Sequence, residues 1–238
     1  MATINSSAPG TTTDGVNYTA DFINGKWMLT SRWDDECTPT SGAPARAVEQ
    51  WQRYELTPAS NRSLAGSRTS FTTGGCQSNW KSDIRVERTG DDVIDNDRDP
   101  AQVRTYVPPS GGSYLDGVYT YYVKWSDGDV YDQSIRYEGI CLRDATRCGS
   151  SRDRSEATGS WRNFTYANGK LGTVYSYQTF CDKSLKTDLT AFEETTTLTV
   201  RDPQPGPARS ISGSITYSYG PPCAGTGSGT LTITRTGD

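Results

Sequence analysis

One stretch of this chain, about seventy residues long, occurs twice with its internal spacing preserved. The tetrapeptide Arg-Thr-Gly-Asp stands at 88–91 and again at 235–238. Its arginine follows a cysteine by twelve residues in both copies, Cys76 in the first and Cys223 in the second. Ten residues before each cysteine stands a glycine within two similar octapeptides: Gly66 in "RSLAGSRT" and Gly213 in "RSISGSIT". A period this long is typical of two tandem related domains, not of a solenoid of short repeats.

The front part of each copy matches at a slightly different offset. "NGK" occurs at 24–26 and 168–170, and "AVEQ" and "AFEE" occur at 47–50 and 191–194, each pair 144 residues apart. The later matches are 147 residues apart. We therefore expect a three-residue insertion in the second copy, near the Pro-Gln-Pro segment at 203–205.

The second copy has more sequence in front of it than the first. Residues 114–161 hold two close cysteines, and nothing equivalent precedes copy one. The chain is therefore predicted to comprise four parts: a disordered tail (1–15), a first, half-length β domain (16–91), an acidic, Pro- and Gly-rich linker (92–113), and a second, complete β domain (114–238).

The six cysteines lie at matching positions in the two copies, which favours a repeated disulfide. The economical pairing is Cys37 with Cys76, Cys181 with Cys223, and Cys141 with Cys148. Disulfides indicate an oxidising compartment, so the expected location is extracytoplasmic, at the cell surface or secreted. The alternative is six reduced, buried cysteines.

Apolar and aromatic residues recur at every second position in several segments, the period of a half-buried strand. The pattern covers 119–125, 211–219 and 231–233, and Trp27, Leu29 and Trp33 share one face of another run. Asn-Gly and Asp-Gly pairs separate these segments as hairpin turns do. The predicted fold class is all-β, with two tandem related antiparallel β-sandwich or barrel-like domains stapled by disulfides.

Composition removes several function classes. The chain has no histidine, which excludes Ser-His-Asp and Cys-His nucleophile systems and the commonest zinc ligand. A net charge of −4 with mixed signs argues against a nucleic-acid surface. No apolar run approaches a membrane span in this chain. We expect no catalytic residue, no cofactor and no metal, with a hydrolase built on two of the 28 carboxylates as a minor alternative.

The linker raises the question of calcium because five aspartates cluster there: Asp91, Asp92, Asp95, Asp97 and Asp99. Hard cations favour grouped carboxylates. However, Pro100 stands where an EF-hand has glycine, and Tyr106 stands at its twelfth position. A solvated linker is the favoured interpretation.

The aromatic residues suggest a binding platform, because sugar rings pack on exposed aromatic faces. The candidate binding residues are Trp80, Tyr119, Tyr121 and Trp125. Trp80 is the strongest candidate for exposure, since its neighbours in "CQSNWKSD" are polar. The alternative is that these aromatic residues belong to the core, which suits their strand alternation.

The ensemble of motifs resembles the extracytoplasmic sensor domains of mycobacterial transmembrane serine/threonine-protein kinases and related secreted mycobacterial proteins. The resemblance covers about 114–238 fully and 16–91 partially. The matching residues are Asp116-Gly117-Val118-Tyr119, Cys141, Cys148, Trp161, Asn168-Gly169-Lys170, Cys181, Pro203-Gln204, Gly213, Cys223 and Arg235 to Asp238.

This resemblance implies a non-catalytic sensor ectodomain that binds an extracellular ligand or protein and signals to a kinase in the parent protein. A homodimer through an open strand edge of the shorter copy is a possible partner arrangement. The alternative is a stand-alone secreted cell-envelope or glycan-binding protein. Either function places the chain outside the membrane.

Overall fold

The computed structural model describes residues 2–5, 17–38, 45–60, 63–87, 114–153, 162–182, 187–200 and 206–238. These residues form β-strands and no α-helix, as the sequence predicts. The strands are β1 (Ala2–Asn5), β2 (Asn17–Ile23), β3 (Lys26–Cys37), β4 (Arg46–Pro58), β5 (Ser63–Gly74), β6 (Ser78–Glu87), β7 (Gly117–Trp125), β8 (Val130–Cys141), β9 (Cys148–Arg152), β10 (Phe164–Ala167), β11 (Lys170–Asp182), β12 (Thr187–Thr199), β13 (Ser210–Tyr219) and β14 (Gly225–Gly237).

Strands β1 to β6 form an open antiparallel sheet in which every strand pairs with its sequence neighbours. The β2–β3 hairpin turns at Asn24 and Gly25, whose φ angles are 52° and 78°. Asn168 and Gly169 make the β10–β11 turn with φ angles of 53° and 75°. A two-residue hairpin turn needs positive φ at both positions, which Asn-Gly tolerates best. The repeated "NGK" is therefore a repeated turn.

Strands β7 to β14 close into an eight-stranded antiparallel barrel. Strand β14 pairs with β7, and β9 pairs with β10, so the ring has no free edge. The inward positions of β7 are Tyr119, Tyr121 and Val123, each at most 1% exposed. They pack in one core with inward residues of the other strands, among them Ile135, Tyr137, Phe164, Leu171, Leu198, Ile211, Ile215, Leu231 and Ile233.

The duplicated sequence is a duplicated set of strands, with β3 to β6 corresponding to β11 to β14. Gly66 lies opposite Leu56, and Gly213 lies opposite Leu198. A Cβ atom added at either glycine would lie 1.9 Å from a carbonyl oxygen of the neighbouring strand. Both copies therefore need glycine there, which explains the repeated "R-S-x-x-G-S" pattern.

Strand pairing changes the size of the predicted insertion but keeps it in the same connection. Leu56 and Leu198 are 142 residues apart, whereas Gly66 and Gly213 are 147 apart. The connection between β12 and β13 is thus five residues longer than its counterpart, and the β11–β12 hairpin is two residues shorter. The "AVEQ" and "AFEE" match at an offset of 144 is out of register by two, because sequence letters do not reveal hairpin length.

The three disulfides join the pairs that the sequence predicts. Cys37–Cys76 and Cys181–Cys223 connect equivalent places in the two copies, one end of β3 or β11 with the turn that precedes β6 or β14. Cys141–Cys148 ties the β8–β9 hairpin at a directly paired position. Each copy is therefore stapled across the same end of its sheet.

The open sheet packs against the outer wall of the barrel. Trp51 of β4 and Phe71 of β5 stack with ring centroids 6.0 Å apart and are fully buried. Both form a small core with Ile140 of β8. A Cβ on Gly149 would lie 2.8 Å from the Phe71 ring, so β9 approaches closely only because it carries glycine. Two related sheets thus share one interface.

One sequence prediction differs from the structure near the chain start. Ala2–Asn5 forms β1 and pairs with β2, so the predicted tail over 1–15 contains a strand. The described part of 16–91 holds β2 to β6, the counterparts of β10 to β14. Pairing with β2 gives the backbone N–H and C=O groups of β1 hydrogen-bond partners, and this stabilisation cannot be predicted from composition alone. The predicted linker over 92–113 and its calcium hypothesis lie outside the described residues.

Candidate functional site: an aromatic rim above a buried ion pair

The four predicted binding residues do not form one surface. Tyr119 and Tyr121 are 0% exposed inside the barrel, and the Tyr119 hydroxyl donates a 2.9 Å hydrogen bond to the carbonyl of Ala208. They present no outer face for stacking, because the barrel closes over the side of β7 that they occupy. Trp125 is half-buried at one end of the barrel, and Trp80 lies 36% exposed on the other sheet.

Trp125 belongs to a ring of aromatic side chains at one end of the barrel, here called the rim. The rim comprises Trp125, Tyr131, Tyr175, Tyr177, Phe192, Tyr217 and Tyr219. Adjacent rings in the series Trp125, Tyr217, Tyr219, Phe192, Tyr177 and Tyr175 have centroids 4.9–5.6 Å apart. Tyr131 and Tyr177 remain 41% and 38% exposed. Six of the seven rings thus form a continuous run, and Tyr131 contacts the buried ring of Tyr121 instead.

Glycines on β14 make room for the rim. A Cβ on Gly227 would lie 2.4 Å from the ring of Tyr217, and one on Gly229 would lie 3.1 Å from the ring of Trp125. Both glycines pair directly with the strand that carries the ring. The aromatic side chains therefore lie flat over the neighbouring strand instead of pointing outward.

A buried ion pair lies beneath the rim. Arg162 donates to both carboxylate oxygens of Glu194, from Nε at 2.5 Å and from Nη2 at 2.6 Å. Glu194 is 1% exposed. The guanidinium also lies 5.4 Å from the ring centroid of Tyr121 and 6.0 Å from that of Tyr175. This two-point pairing compensates for burying both charges.

Burial and ion pairing shift the pKa of Arg162 in opposite directions. Burial alone lowers the pKa of Arg162, but hydrogen bonds and charge from Glu194 outweigh it and raise the pKa above its ordinary value. Arg162 therefore stays charged and lies against the carboxylate of Glu194. A ligand that reached it would meet fixed dipoles and aromatic faces rather than a free cation.

Unpaired hydroxyl groups surround the ion pair. Among the described residues, the side-chain oxygens of Tyr121, Tyr137 and Thr196 have no hydrogen-bond partner. Thr196 is close enough to Tyr121 to lower the pKa of its phenol slightly against the effect of burial. The distance and angle between the two hydroxyl groups nevertheless do not make a hydrogen bond. Burial raises the pKa of Tyr121 and Tyr137, which keeps both phenols protonated. Buried hydroxyls without partners are costly to the folded state.

The open sheet helps to position Arg162 through the next residue. Asn163 is fully buried, and its Nδ2 donates to the carbonyls of Thr72 at 2.8 Å and Ser78 at 3.1 Å. Its backbone N–H donates to Oε1 of Gln77 at 2.6 Å. Nε2 of Gln77 in turn donates to the carbonyl of Val174 on the barrel at 2.8 Å. The β5–β6 hairpin therefore reaches into the barrel wall beside the ion pair.

Sequence reasoning missed this layer. The one available signal was Glu194, a charged residue at the inward position of a strand in which Phe192, Thr196 and Leu198 share that face. Arg162 gives no signal, since it precedes its strand and finds Glu194 only when the barrel closes.

A cavity of about 240 Å³ lies between the open sheet and the β8–β9 hairpin. Its polar wall includes Asp21, which accepts hydrogen bonds from Arg143 at 2.7 and 2.8 Å. In the part of the chain that the structure describes, no three His, Cys, Asp or Glu residues are grouped to hold a metal ion. The rim is the stronger candidate because it combines exposure with a polar layer beneath.

No family model matches this chain, and comparison with the curated proteins and with the solved structures gives no match. The described residues also contain no helix long and apolar enough to cross a membrane.

Proposed function

We propose that this chain is a non-catalytic binding module whose ligand site is the aromatic rim of the barrel. The observation that carries the proposal is the run of contacting rings above the Arg162–Glu194 pair. Small barrels hold ligands at their mouths, where aromatic walls supply contact area and a few polar groups set orientation.

The chemistry of the rim favours a neutral ligand that contains rings and hydroxyl groups. Aromatic faces pack against the C–H faces of a sugar ring, and tyrosine hydroxyls at the edge supply hydrogen bonds. The ion pair beneath is internally neutral, which gives a strongly charged ligand no counter-charge. An oligosaccharide from a cell envelope fits these requirements.

We place this activity in an extracytoplasmic sensor domain, in keeping with the resemblance to the ectodomains of transmembrane serine/threonine-protein kinases. Three disulfides are compatible with an extracellular or secreted protein. Ligand binding at the rim would be the signal, and the kinase domain of the parent protein would act on it. The second candidate is a stand-alone secreted cell-envelope or glycan-binding protein, which the same rim supports.

The test is a titration with soluble oligosaccharides from bacterial cell walls, monitored by calorimetry. Wild-type protein should bind at least one of them, and Trp125→Ala should weaken binding because it removes one face of the rim. A contact of this kind contributes about 1 kcal/mol, or roughly fivefold in dissociation constant.

Trp80→Ala is the matched control, since it removes the same side chain from the open sheet. It should leave binding unchanged. Binding that depends on Trp80 and not on Trp125 would place the site on the other sheet, and no binding to any wall oligosaccharide would remove the proposed ligand class.

A further inference from the structure

The last strand of the open sheet, β6, carries apolar residues at the positions that form the core in the equivalent barrel strand, β14. Gly66 of β5 lies opposite Ile84 of β6, and Gly213 of β13 lies opposite Leu231 of β14. Val86 corresponds to Ile233 in the same way, because Val86 lies opposite Leu64 and Ile233 lies opposite Ile211, the equivalent residue. Leu231 and Ile233 are 0% exposed, whereas Val86 is 38% exposed and Ile84 is half-buried.

The difference arises at the edge of the strand. In the barrel, β14 pairs with β13 on one side and with β7 on the other. Strand β6 pairs with β5, and within the described residues its other edge has no backbone partner. An edge strand with unpaired backbone groups and a half-exposed apolar face is a template for pairing with another strand.

The charges on β6 indicate which strand that is. The opposite face of β6 carries Lys81, Asp83, Arg85 and Glu87, all exposed and of alternating sign. Within one chain Lys81 pairs with Glu138 of β8 and Arg85 pairs with Glu87, and both pairs are solvent-accessible enough to exchange partners. If two copies of β6 pair antiparallel about Ile84, Lys81 of one copy faces Glu87 of the other, and Asp83 faces Arg85. Every cross-strand charge pair is then favourable, and the two Ile84 side chains meet on the apolar face.

We propose that the free edge of β6 is an interface between two copies of this chain, paired antiparallel with Ile84 at the centre. The pairing continues the open sheet across the twofold axis and covers Ile84 and Val86. It is separate from the rim, which lies on the barrel, and it does not depend on the proposed ligand.

Sedimentation velocity over a concentration series of the whole chain, with its disulfides intact, tests the proposal. The wild-type protein should form a dimer. Asp83→Arg places an arginine opposite Arg85 of the second copy, and Arg85→Asp places an aspartate opposite Asp83. Twofold symmetry repeats each clash, so each variant should raise the dissociation constant about tenfold or more.

The two variants test the register when they are mixed. One variant then has arginine at both positions and the other has aspartate at both, so every pair in the mixed dimer is again opposite in charge. An equal mixture should associate like the wild type. Asp132→Arg, the same charge change on an exposed position of β8, is the control and should leave association unchanged.

Three outcomes would overturn the proposal. One is a wild-type chain that stays monomeric into the millimolar range. Another is a mixture that associates no better than the separate variants. The third is protection of the β6 amides from hydrogen exchange by an added β7 peptide (Gly117–Trp125) and not by raising the protein concentration, which would assign the edge to a different strand.

Discussion

Strands β6 and β14 come from the same repeated sequence, but their surroundings differ. Strand β14 lies between two neighbours in a closed barrel, and its inward side chains are fully buried. Strand β6 ends an open sheet and leaves Val86 38% exposed. The strands that complete the ring, β7, β8 and β9, occur only in the second copy. Closure of the barrel thus depends on three strands and not on the repeated motifs.

The two sheets also present two kinds of surface. Because the barrel is closed, it buries an ion pair and holds the aromatic rim in place. The open sheet uses one face to pack on the barrel and leaves an edge free. Four experiments test this contrast, and the expected loss of stability decreases from the first to the last.

The ion pair within the barrel should be the most sensitive point. Arg162→Met leaves the carboxylate of Glu194 buried without its partner, and we expect a loss of about 3–5 kcal/mol in the free energy of unfolding. Arg85 and Glu87 form a pair on the open sheet whose side chains are 57% and 64% exposed. Glu87→Gln should therefore cost less than about 1 kcal/mol. Urea unfolding measures both, and equal losses would contradict the contrast.

Truncating equivalent core side chains should lower the free energy of unfolding by different amounts in the two sheets. Leu231→Ala removes a fully buried side chain from the barrel and should cost about 2–5 kcal/mol. Ile84→Ala removes the corresponding half-buried side chain and should cost less than half as much at protein concentrations where the chain is monomeric. The same unfolding measurement compares them, and an Ile84 variant as unstable as the Leu231 variant would show that β6 is covered in the monomer.

The repeated glycines provide a smaller, matched test. Gly66→Ala and Gly213→Ala introduce the same 1.9 Å conflict with a carbonyl oxygen. Such overpacking costs about 1–3 kcal/mol. We expect the larger fall in melting temperature for Gly213→Ala, because the closed ring holds β12 and β13 at fixed spacing while the open sheet can relax. A larger fall for Gly66→Ala would mean that the open sheet is the stiffer of the two.

Alkaline pH should destabilise the barrel, because its buried tyrosines must ionise. Burial raises the pKa of Tyr119 from 10.0 to about 12, and burial raises those of Tyr121 and Tyr137 as well. A raised pKa in the folded state means that stability is full below pH 10 and is lost as the pH rises toward 12 and beyond. Tyrosinate absorbance and circular dichroism should change together in that range. Ionisation of all tyrosines near pH 10 with the fold intact would contradict their burial.

The sequence predicts much of the fold because its signals are local. The disulfide pairs follow from matched cysteine positions, and the "NGK" turns follow from the positive φ that Asn168 and Gly169 tolerate. The alternation in 119–125 correctly places Tyr119 and Tyr121 on one face. It does not show whether that face meets solvent or the inside of a barrel, and so it left both interpretations of Tyr119 and Tyr121 open; the structure places them in the core.

The rest depends on contacts between distant residues. The pairing of β14 with β7 closes the ring across more than a hundred residues, and no residue type encodes that step. Arg162 meets Glu194 and Gln77 meets Asn163 only once the strands are in register. The rim is likewise assembled from strands β7, β8, β11, β12 and β13, whose aromatic residues are individually ordinary in the sequence.

The most direct test of the binding site is an NMR titration that compares the indole N–H signals of Trp125 and Trp80 as a cell-wall oligosaccharide is added. We expect the Trp125 signal to shift in a saturable way, together with ring signals of Tyr177 and Phe192, while the Trp80 signal stays in place. A shift of Trp80 with an unchanged Trp125 would contradict this expectation and would assign binding to the open sheet.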